Sequence, residues 1–267
     1  MNQEWGASNA ADGTKELTVM SFNILHGEGM IDGKLDLERI ASIIEASGAE
    51  LIGLQEVDKH FSARSHYVDQ GVWLAERLGM DYAYGANLTL PAEDDGKPER
   101  QYGTLVLSRF PIIYKKNHKL VQLLDVNRPE ARGLLETHID IQGSKVIFFN
   151  THLGLDSRER MQQAEQIMDK AKGRTEPIIM SGDFNAAPDS PEIIRLTSMF
   201  RDSLAGTEWE KEFTLVQPNA DKTEYVPVKR IDYLFSSKEL RVKDARILNE
   251  AIISDHYPLA ATYSIDK

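Results

Sequence analysis

The chain has 267 residues, 41% of them hydrophobic and 27% charged; this suits one large domain or two small ones with a real core, and excludes disorder as the dominant state. Thirty-one lysines and arginines face 42 aspartates and glutamates, a formal net charge of −11; that argues against broad adhesion to nucleic acid or anionic membrane but leaves room for a local basic patch beside a metal. There are no cysteines, which excludes a disulfide scaffold, a thiolate zinc site, an iron–sulfur cluster and a cysteine nucleophile.

Residues 1–15 are polar and lack the apolar run of a signal peptide. No stretch approaches the ~18 apolar residues of a membrane span. The expectation is a cytoplasmic protein, with a polar N-terminal segment 1–15 before a single catalytic domain over 16–267. Residues 17–24 read as a β-branched strand. Residues 36–47 read as a helix: Leu37, Ile40, Ile43 and Ile44 share a face, Asp36 caps the start and Gly48 ends it. A short strand follows at 51–54, then a helix over 70–78 that stops at Gly79. Strands 103–109 and 111–114 are divided by Pro111, a bend or a tight reversal. Strands 134–141 and 145–150 flank the hairpin signal Gln142-Gly143-Ser144. Alternation along the first of them points His138 to water.

Residues 157–172 form the clearest helix, with Met161, Ala164, Ile167, Met168 and Ala171 on one face. These methionines are core residues. Pro177 opens a buried strand at 178–181, and further strands are expected at 231–235, 245–248 and 259–264. Two long loops stand out: 87–101, acidic at Glu93, Asp94 and Asp95, and 205–229. There is no internal repeat and no linker rich in Gly, Ser or Pro. The pattern predicts a mixed α/β domain, a layered sandwich of largely antiparallel sheets with helices outside.

One arrangement recurs. An apolar strand ends and an oxygen- or nitrogen-bearing side chain follows: Asn23, Glu56, His152, Asp183 with Asn185, Asp232, then Asp255 with His256. Each has an ordinary structural reading as a turn residue or solvated strand end. Gathered at one edge of a rigid scaffold, they would form a catalytic group. The remaining histidines, His26, His60, His66, His118 and His138, lack such company and read as surface or packing residues. His26 alone lies close to Asn23 in sequence.

Six segments in order, Ser21-Phe22-Asn23, Leu54-Gln55-Glu56-Val57, Asn150-Thr151-His152, Gly182-Asp183-Phe184-Asn185, Arg230-Ile231-Asp232-Tyr233 and Ser254-Asp255-His256, resemble the endonuclease/exonuclease/phosphatase superfamily. Its members include deoxyribonuclease I, exonuclease III-like repair enzymes, neutral sphingomyelinases and inositol polyphosphate 5-phosphatases. The resemblance implies a four-layer α/β sandwich of two packed, mixed and largely antiparallel sheets flanked by helices. It implies Glu56 as the main ligand of Mg²⁺ (Mn²⁺ is the alternative), with Asn23 beside it and Asp255 on the metal side; such hard oxygen donors suit these ions. Asp183 would orient or deprotonate the attacking water. Asn185 would hold a phosphate oxygen or the nucleophile, His256 would contact the phosphate with Asp232 orienting it, and His152 would lie near the leaving group.

Departures from the family pattern narrow the expectation. Leu25 stands where some repair nucleases carry a second acidic ligand, the 5-phosphatase signature around Asp232 is absent, and no long aromatic hairpin for membrane entry is evident. Residues 102–111 and Pro129-Glu130-Ala131-Arg132-Gly133 resemble a bacterial branch of metal-dependent hydrolases. Arg64 and Arg132 would clamp a phosphate, or form surface ion pairs. The expected activity is metal-dependent phosphoester hydrolysis, foremost a phosphodiesterase using direct in-line attack of water. A small-molecule or lipid-headgroup phosphoester is favoured; DNA or RNA, or a silent binding protein on the same fold, are the alternatives. Neither a partner protein nor membrane insertion is implied.

Overall fold

A computed structural model describes residues 15–127, 130–221, 224–249 and 252–265. Most of the expected N-terminal segment, and Pro129 of the segment before β6, lie outside the described residues.

The chain begins with β1 (Lys15–Asn23), α1 (Leu37–Ser47), β2 (Leu51–Lys59) and α2 (Gln70–Leu78). Both helices start where the sequence supplies a cap. Asp36 accepts from the amides of Glu38 and Arg39, and Asp69 from that of Val72. Both stop at glycines in the left-handed region, Gly48 and Gly79. Then come β3 (Asp81–Leu90), β4 (Arg100–Ser108), β5 (Ile112–Lys119), β6 (Gly133–Ile141), β7 (Ser144–His152), α3 (Ser157–Ala171) and β8 (Ile178–Asp183). The last part holds α4 (Pro191–Thr197), β9 (Phe200–Asp202), β10 (Leu215–Pro218), β11 (Tyr225–Lys229), β12 (Asp232–Ser237), β13 (Arg241–Ile247) and β14 (Leu259–Ile265).

Two sheets carry the fold, in the orders β13-β14-β1-β2-β4-β3 and β5-β6-β7-β8-β12-β9; β10 and β11 form a separate ribbon. β1–β2 and β7–β8 pair in parallel, and the other ladders are antiparallel. Alternate residues of each sheet divide between the core that the two sheets enclose and the core under that sheet's helices, three cores in all. Val19, Phe148 and Ile179 point into the space between the sheets, while Met20 packs under α1 and α2 and Phe149 and Met180 pack under α3 and α4. The layers therefore run helix, sheet, sheet, helix. No helix among the described residues is long and apolar enough to cross a membrane.

Several expectations change. The segment expected as loop 87–101 contains the end of β3 and the start of β4, because Ala, Gly and Asn in β3 mask a strand that pairing with β4 holds. The long loop 205–229 contains a short 3-10 turn (Glu208–Lys211) and the β10–β11 ribbon. Pro111 makes no hairpin: β4 belongs to one sheet and β5 to the other, so the chain changes layers there. α4 and β9 were not anticipated.

The prediction that His138 faces water fails. It is 8% exposed, its ring packs on Tyr114, and its Nε2 lies 2.7 Å from Glu136 Oε1. Alternation identifies a face, not whether another element covers it. Glu136, buried in β6, also meets His118 Nε2 at 2.7 Å and Arg174 Nη2 at 2.9 Å. Burial alone would raise its pKa, but the His138 and His118 hydrogen bonds and the Arg174 charge hold it below the ordinary 4.5. A depressed carboxylate stabilises the fold fully above its unfolded pKa and loses that contribution as pH falls through the folded value. Glu136→Gln is therefore expected to be less stable than wild type by about 1–3 kcal/mol at pH 7, with the gap closing below the ordinary carboxylate pKa. Thermal melts across pH check this; a gap that did not narrow in acid would refute it.

Candidate active site

The topology explains why distant segments converge. Parallel pairing sets the ends of β1 and β2 side by side, with Asn23 opposite Gln55, and likewise sets His152 opposite Asp183 at the ends of β7 and β8. Antiparallel β12 starts where β8 ends, with Asp232 opposite Asp183. His256 bridges to Leu215 of the ribbon, just ahead of β14.

Glu56 does not simply terminate a strand. β2 continues to Lys59 through a bulge between Leu54 and Val57, and Glu56 takes φ +59° there. The bulge turns its carboxylate toward the site. Asn185, two residues past Asp183, has φ +50°. Left-handed backbone at such residues is uncommon and often functional.

Asn23 is fully buried at the centre of the group. Its Nδ2 donates to Glu56 Oε1 and to Asp183 Oδ2, both at 3.1 Å. Its oxygen accepts from the Leu25 amide at 3.1 Å, so here Asn23 presents its NH₂, rather than the oxygen expected of a metal ligand, to Glu56. The Asn185 amide donates to Asp183 Oδ1 at 2.9 Å, and Asn185 Nδ2 donates to Leu153 O at 3.0 Å. His152 Nε2 and His256 Nε2 approach Asp183 Oδ2 at 3.4 and 3.7 Å. His256 Nδ1 lies 2.8 Å from Asp232 Oδ2, which also accepts from Thr214 Oγ1 at 2.5 Å. Thr214 was missed in the sequence; a lone threonine in a long loop gives no signal.

Burial pushes the Asp183 carboxyl up to about 7, although the His256 charge opposes it. Burial disfavours the His256 cation, yet the Asp232 and Asp183 carboxylates carry its pKa up to about 10. His152 moves the other way, well below its ordinary value, because it is buried and faces the charges of Arg132 and His256. The site thus pairs a cationic imidazole, a neutral imidazole and a carboxyl group poised between them.

Among the described residues, Asp183, Asp232 and His256 bring donor atoms within 4.8 Å of one another, as a metal-holding trio would. Yet His256 is already committed to Asp232 and cationic, which disfavours it as a ligand. The better donors for a hard cation are Glu56 and Asp255. Burial raises the Asp255 pKa; the His256 charge opposes the rise and the Glu56 carboxylate adds to it. Two partly buried carboxylates that feel each other's charge are donors that a divalent ion would suit.

Arg132 is 5% exposed. Its Nη1 lies 2.8 Å from Glu130, and its Nε finds no acceptor among the described residues. It stands close enough to His152 to depress that imidazole. Arg64 instead grips the buried Asp58 with both ends of its guanidinium, at 2.9 and 2.7 Å, and lies over Phe61 and Tyr102.

The sequence model of the Endonuclease/Exonuclease/phosphatase family matches residues 20–256. The chain belongs to this family. Its members hydrolyse phosphoesters and typically depend on metal ions, and the carboxylates and imidazoles of this chain's site fit that chemistry. Comparison with curated proteins returns no match. Among solved structures, an endonuclease/exonuclease/phosphatase from Beutenbergia cavernae superposes with a TM-score of 0.75 at 22% identity, over 94% of this chain and 72% of that one. The mannosyl-6-phosphatase of Bacteroides thetaiotaomicron gives 0.70 at 22% identity, over 92% and 99%. Truncated TDP2 of Caenorhabditis elegans gives 0.64 at 24% identity, over 93% and 97%. These likenesses establish a shared fold, the two-sheet sandwich of the family.

Proposed function

We propose that this family member is a Mg²⁺-dependent phosphodiesterase that hydrolyses its substrate by direct in-line attack of water. The observation that carries the reading is Asp183: one oxygen is fixed by the Asn185 amide, and the other meets Asn23, His152 and His256. Asp183 accepts the proton of the attacking water, since a carboxyl near pKa 7 is a competent base around neutrality. Cationic His256, held by Asp232, donates from Nε2 to a phosphoryl oxygen and neutralises charge as the pentavalent centre forms. Neutral His152 hydrogen-bonds near the leaving group. Arg132, whose buried Nε–H finds no acceptor among the described residues, offers a donor to the phosphate. Glu56 and Asp255, with Asn23 beside them, would hold the cation, which supplies charge neutralisation to the phosphate and leaving oxygen. No covalent enzyme intermediate is needed.

The strongly negative chain favours a small-molecule or lipid-headgroup diester over a nucleic acid. A monoester is the second reading, because one fold neighbour bears the name mannosyl-6-phosphatase. The test compares bis(p-nitrophenyl) phosphate with p-nitrophenyl phosphate, using wild type and His256→Ala, with Mg²⁺ and after chelation. Expected are turnover of the diester, its loss on chelation, recovery with Mg²⁺, and a fall of about 10²–10³-fold in the variant. Preference for the monoester would move the assignment to a phosphatase. Diester turnover that survived chelation or the substitution would overturn the mechanism.

A further inference from the structure

A cavity of about 570 Å³ opens between the turn that follows β2 and the loop joining β3 to β4. That is within the roughly 300–1,000 Å³ span of small-molecule sites. His60, His66 and Tyr67 form one wall, and Glu93, Lys97 and Arg100 contribute to the other. None of its lining residues belongs to the catalytic group.

Its position follows from the β2–β4 ladder. His60 is four residues beyond Glu56, so at about 3.3 Å per residue the cavity begins no more than roughly 13 Å along the strand from that carboxylate. Asp58 pairs with Tyr102 and Lys59 with Gln101, which brings Arg100 alongside His60 as the next step. Arg64 is anchored on Asp58 and lies over Phe61 and Tyr102. Glu56 and the His60 and Arg100 edge of the cavity therefore lie along one strand pair, with Arg64 in the turn that follows β2. The cavity thus lies on the same strand pair as one member of the catalytic group, on the side to which a substituent of a bound phosphoester could extend.

The lining chemistry selects the moiety. Its two cations, Lys97 and Arg100, are balanced by two carboxylates, Glu93 and Asp94, and Arg100 is already paired to Glu93 at 3.0 Å. A second phosphate or a nucleic-acid backbone calls for unbalanced cations. The lining is nonetheless dense in donors and acceptors: two imidazoles, a phenol, two carboxylates and an ammonium. The Tyr67 hydroxyl donates to Glu93 Oε2 at 2.5 Å, which fixes the ring, and Tyr67 is 42% exposed. Together with Pro98 it adds an apolar surface to polar walls. A ring whose hydroxyls point outward between C–H faces satisfies both kinds of surface at no net charge.

We propose that this cavity is a subsite for an uncharged polyhydroxylated ring, a sugar or cyclitol, carried on the phosphate of the substrate. Its role in turnover rests on the phosphodiesterase reading; binding of the ring does not. The test uses the full chain and the double variant Asp94→Ala/Lys97→Ala, which removes one charge of each sign and keeps the balance. Saturation-transfer NMR with myo-inositol and with methyl α-mannoside is expected to label ring protons on wild type at least fivefold more strongly than on the variant. In hydrolysis, the variant is expected to keep bis(p-nitrophenyl) phosphate turnover within twofold and to lose about tenfold in kcat/KM, through KM, on glycerophosphoinositol. No saturation transfer on wild type, equal transfer on the variant, or stronger transfer to a thymidine trinucleotide than to either polyol would overturn the subsite. Polyol binding without turnover of any phosphoester would leave the subsite standing and refute the catalytic reading. Diester turnover without polyol binding would do the reverse.

Discussion

Asp183→Asn is expected to lower kcat on a phosphodiester by about 10²–10⁴-fold, the span attributed to a positioned general base, while leaving the fold intact. The substitution is nearly isosteric. The amide oxygen can still accept from the Asn185 amide at the Oδ1 position, now 2.9 Å away. What it cannot do is take a proton from water. The carboxylate also sits within 4 Å of two imidazoles, so its loss removes the group that both histidines face. Melting temperature separates chemistry from folding: it should fall only modestly, because the new NH₂ at the Oδ2 position meets the Asn23 donor, a mismatch worth about 1–3 kcal/mol, far short of unfolding the domain. KM should change little, since the proton transfer belongs to the transition state. Activity within tenfold of wild type would remove Asp183 from the role of base and leave His152, 3.4 Å away, as the group to test next.

The parts legible in sequence are those fixed by local chemistry. The cap Asp36, the periodicity of α1 and the stops Gly48 and Gly79 were legible and set both helices; the Asp69 cap of α2 appears only in the structure. The layer architecture follows from apolar strands alternating with amphipathic helices and from the family motifs, and the matched family and the fold neighbours bear it out. Asn23, Glu56, His152, Asp183, Asn185, Asp232 and His256 come together because those motifs lie at strand ends, at the start of β12, in the β2 bulge or just ahead of β14, and the sheet pairing aligns them. Side-chain partners were not legible. The Asp58 grip on Arg64 and the Thr214 hydroxyl on Asp232 depend on contacts that no spacing encodes. β3 was hidden because its Ala, Gly and Asn have weak strand preference and pairing with β4 decides the matter. His138 was misread for a related reason: the face it shares with Glu136 looks polar in sequence but is covered by Tyr114 and Arg174.

Asn150→Ala is expected to destabilise the protein by about 3–5 kcal/mol, at the upper end of single-residue effects. Asn150 is fully buried and sits where the two sheets touch. Its Nδ2 donates to the carbonyls of Leu54 and Leu105, each at 2.9 Å, so one side chain of β7 ties down both β2 and β4 of the opposite sheet. Its oxygen accepts from Gln55 Nε2 at 2.7 Å and Ser181 Oγ at 3.0 Å. The sheets come this close only because position 53 is glycine: a Cβ there would lie 1.9 Å from Ser181 Oγ and 2.9 Å from Asn150 Oδ1. Truncation strands two carbonyls and weakens two donors in a dry interior, and each unsatisfied group costs about 1–3 kcal/mol. Those losses do not add in full, because the groups share one network, which is why the expected total is smaller than their sum. It is still a large part of the roughly 5–15 kcal/mol that holds a domain together. Urea unfolding should show a lower midpoint with an unchanged slope. The same network lies directly beneath the catalytic group, since Gln55 precedes Glu56 in the β2 bulge and Asn150 lies two residues before His152. Activity should therefore fall at temperatures below the melt, through misplacement of Glu56 and His152. A midpoint shift worth under about 1 kcal/mol, the value of one ordinary hydrogen bond, would mean that water or a shifted Gln55 replaces the tie and that the sheets are held by their apolar core alone.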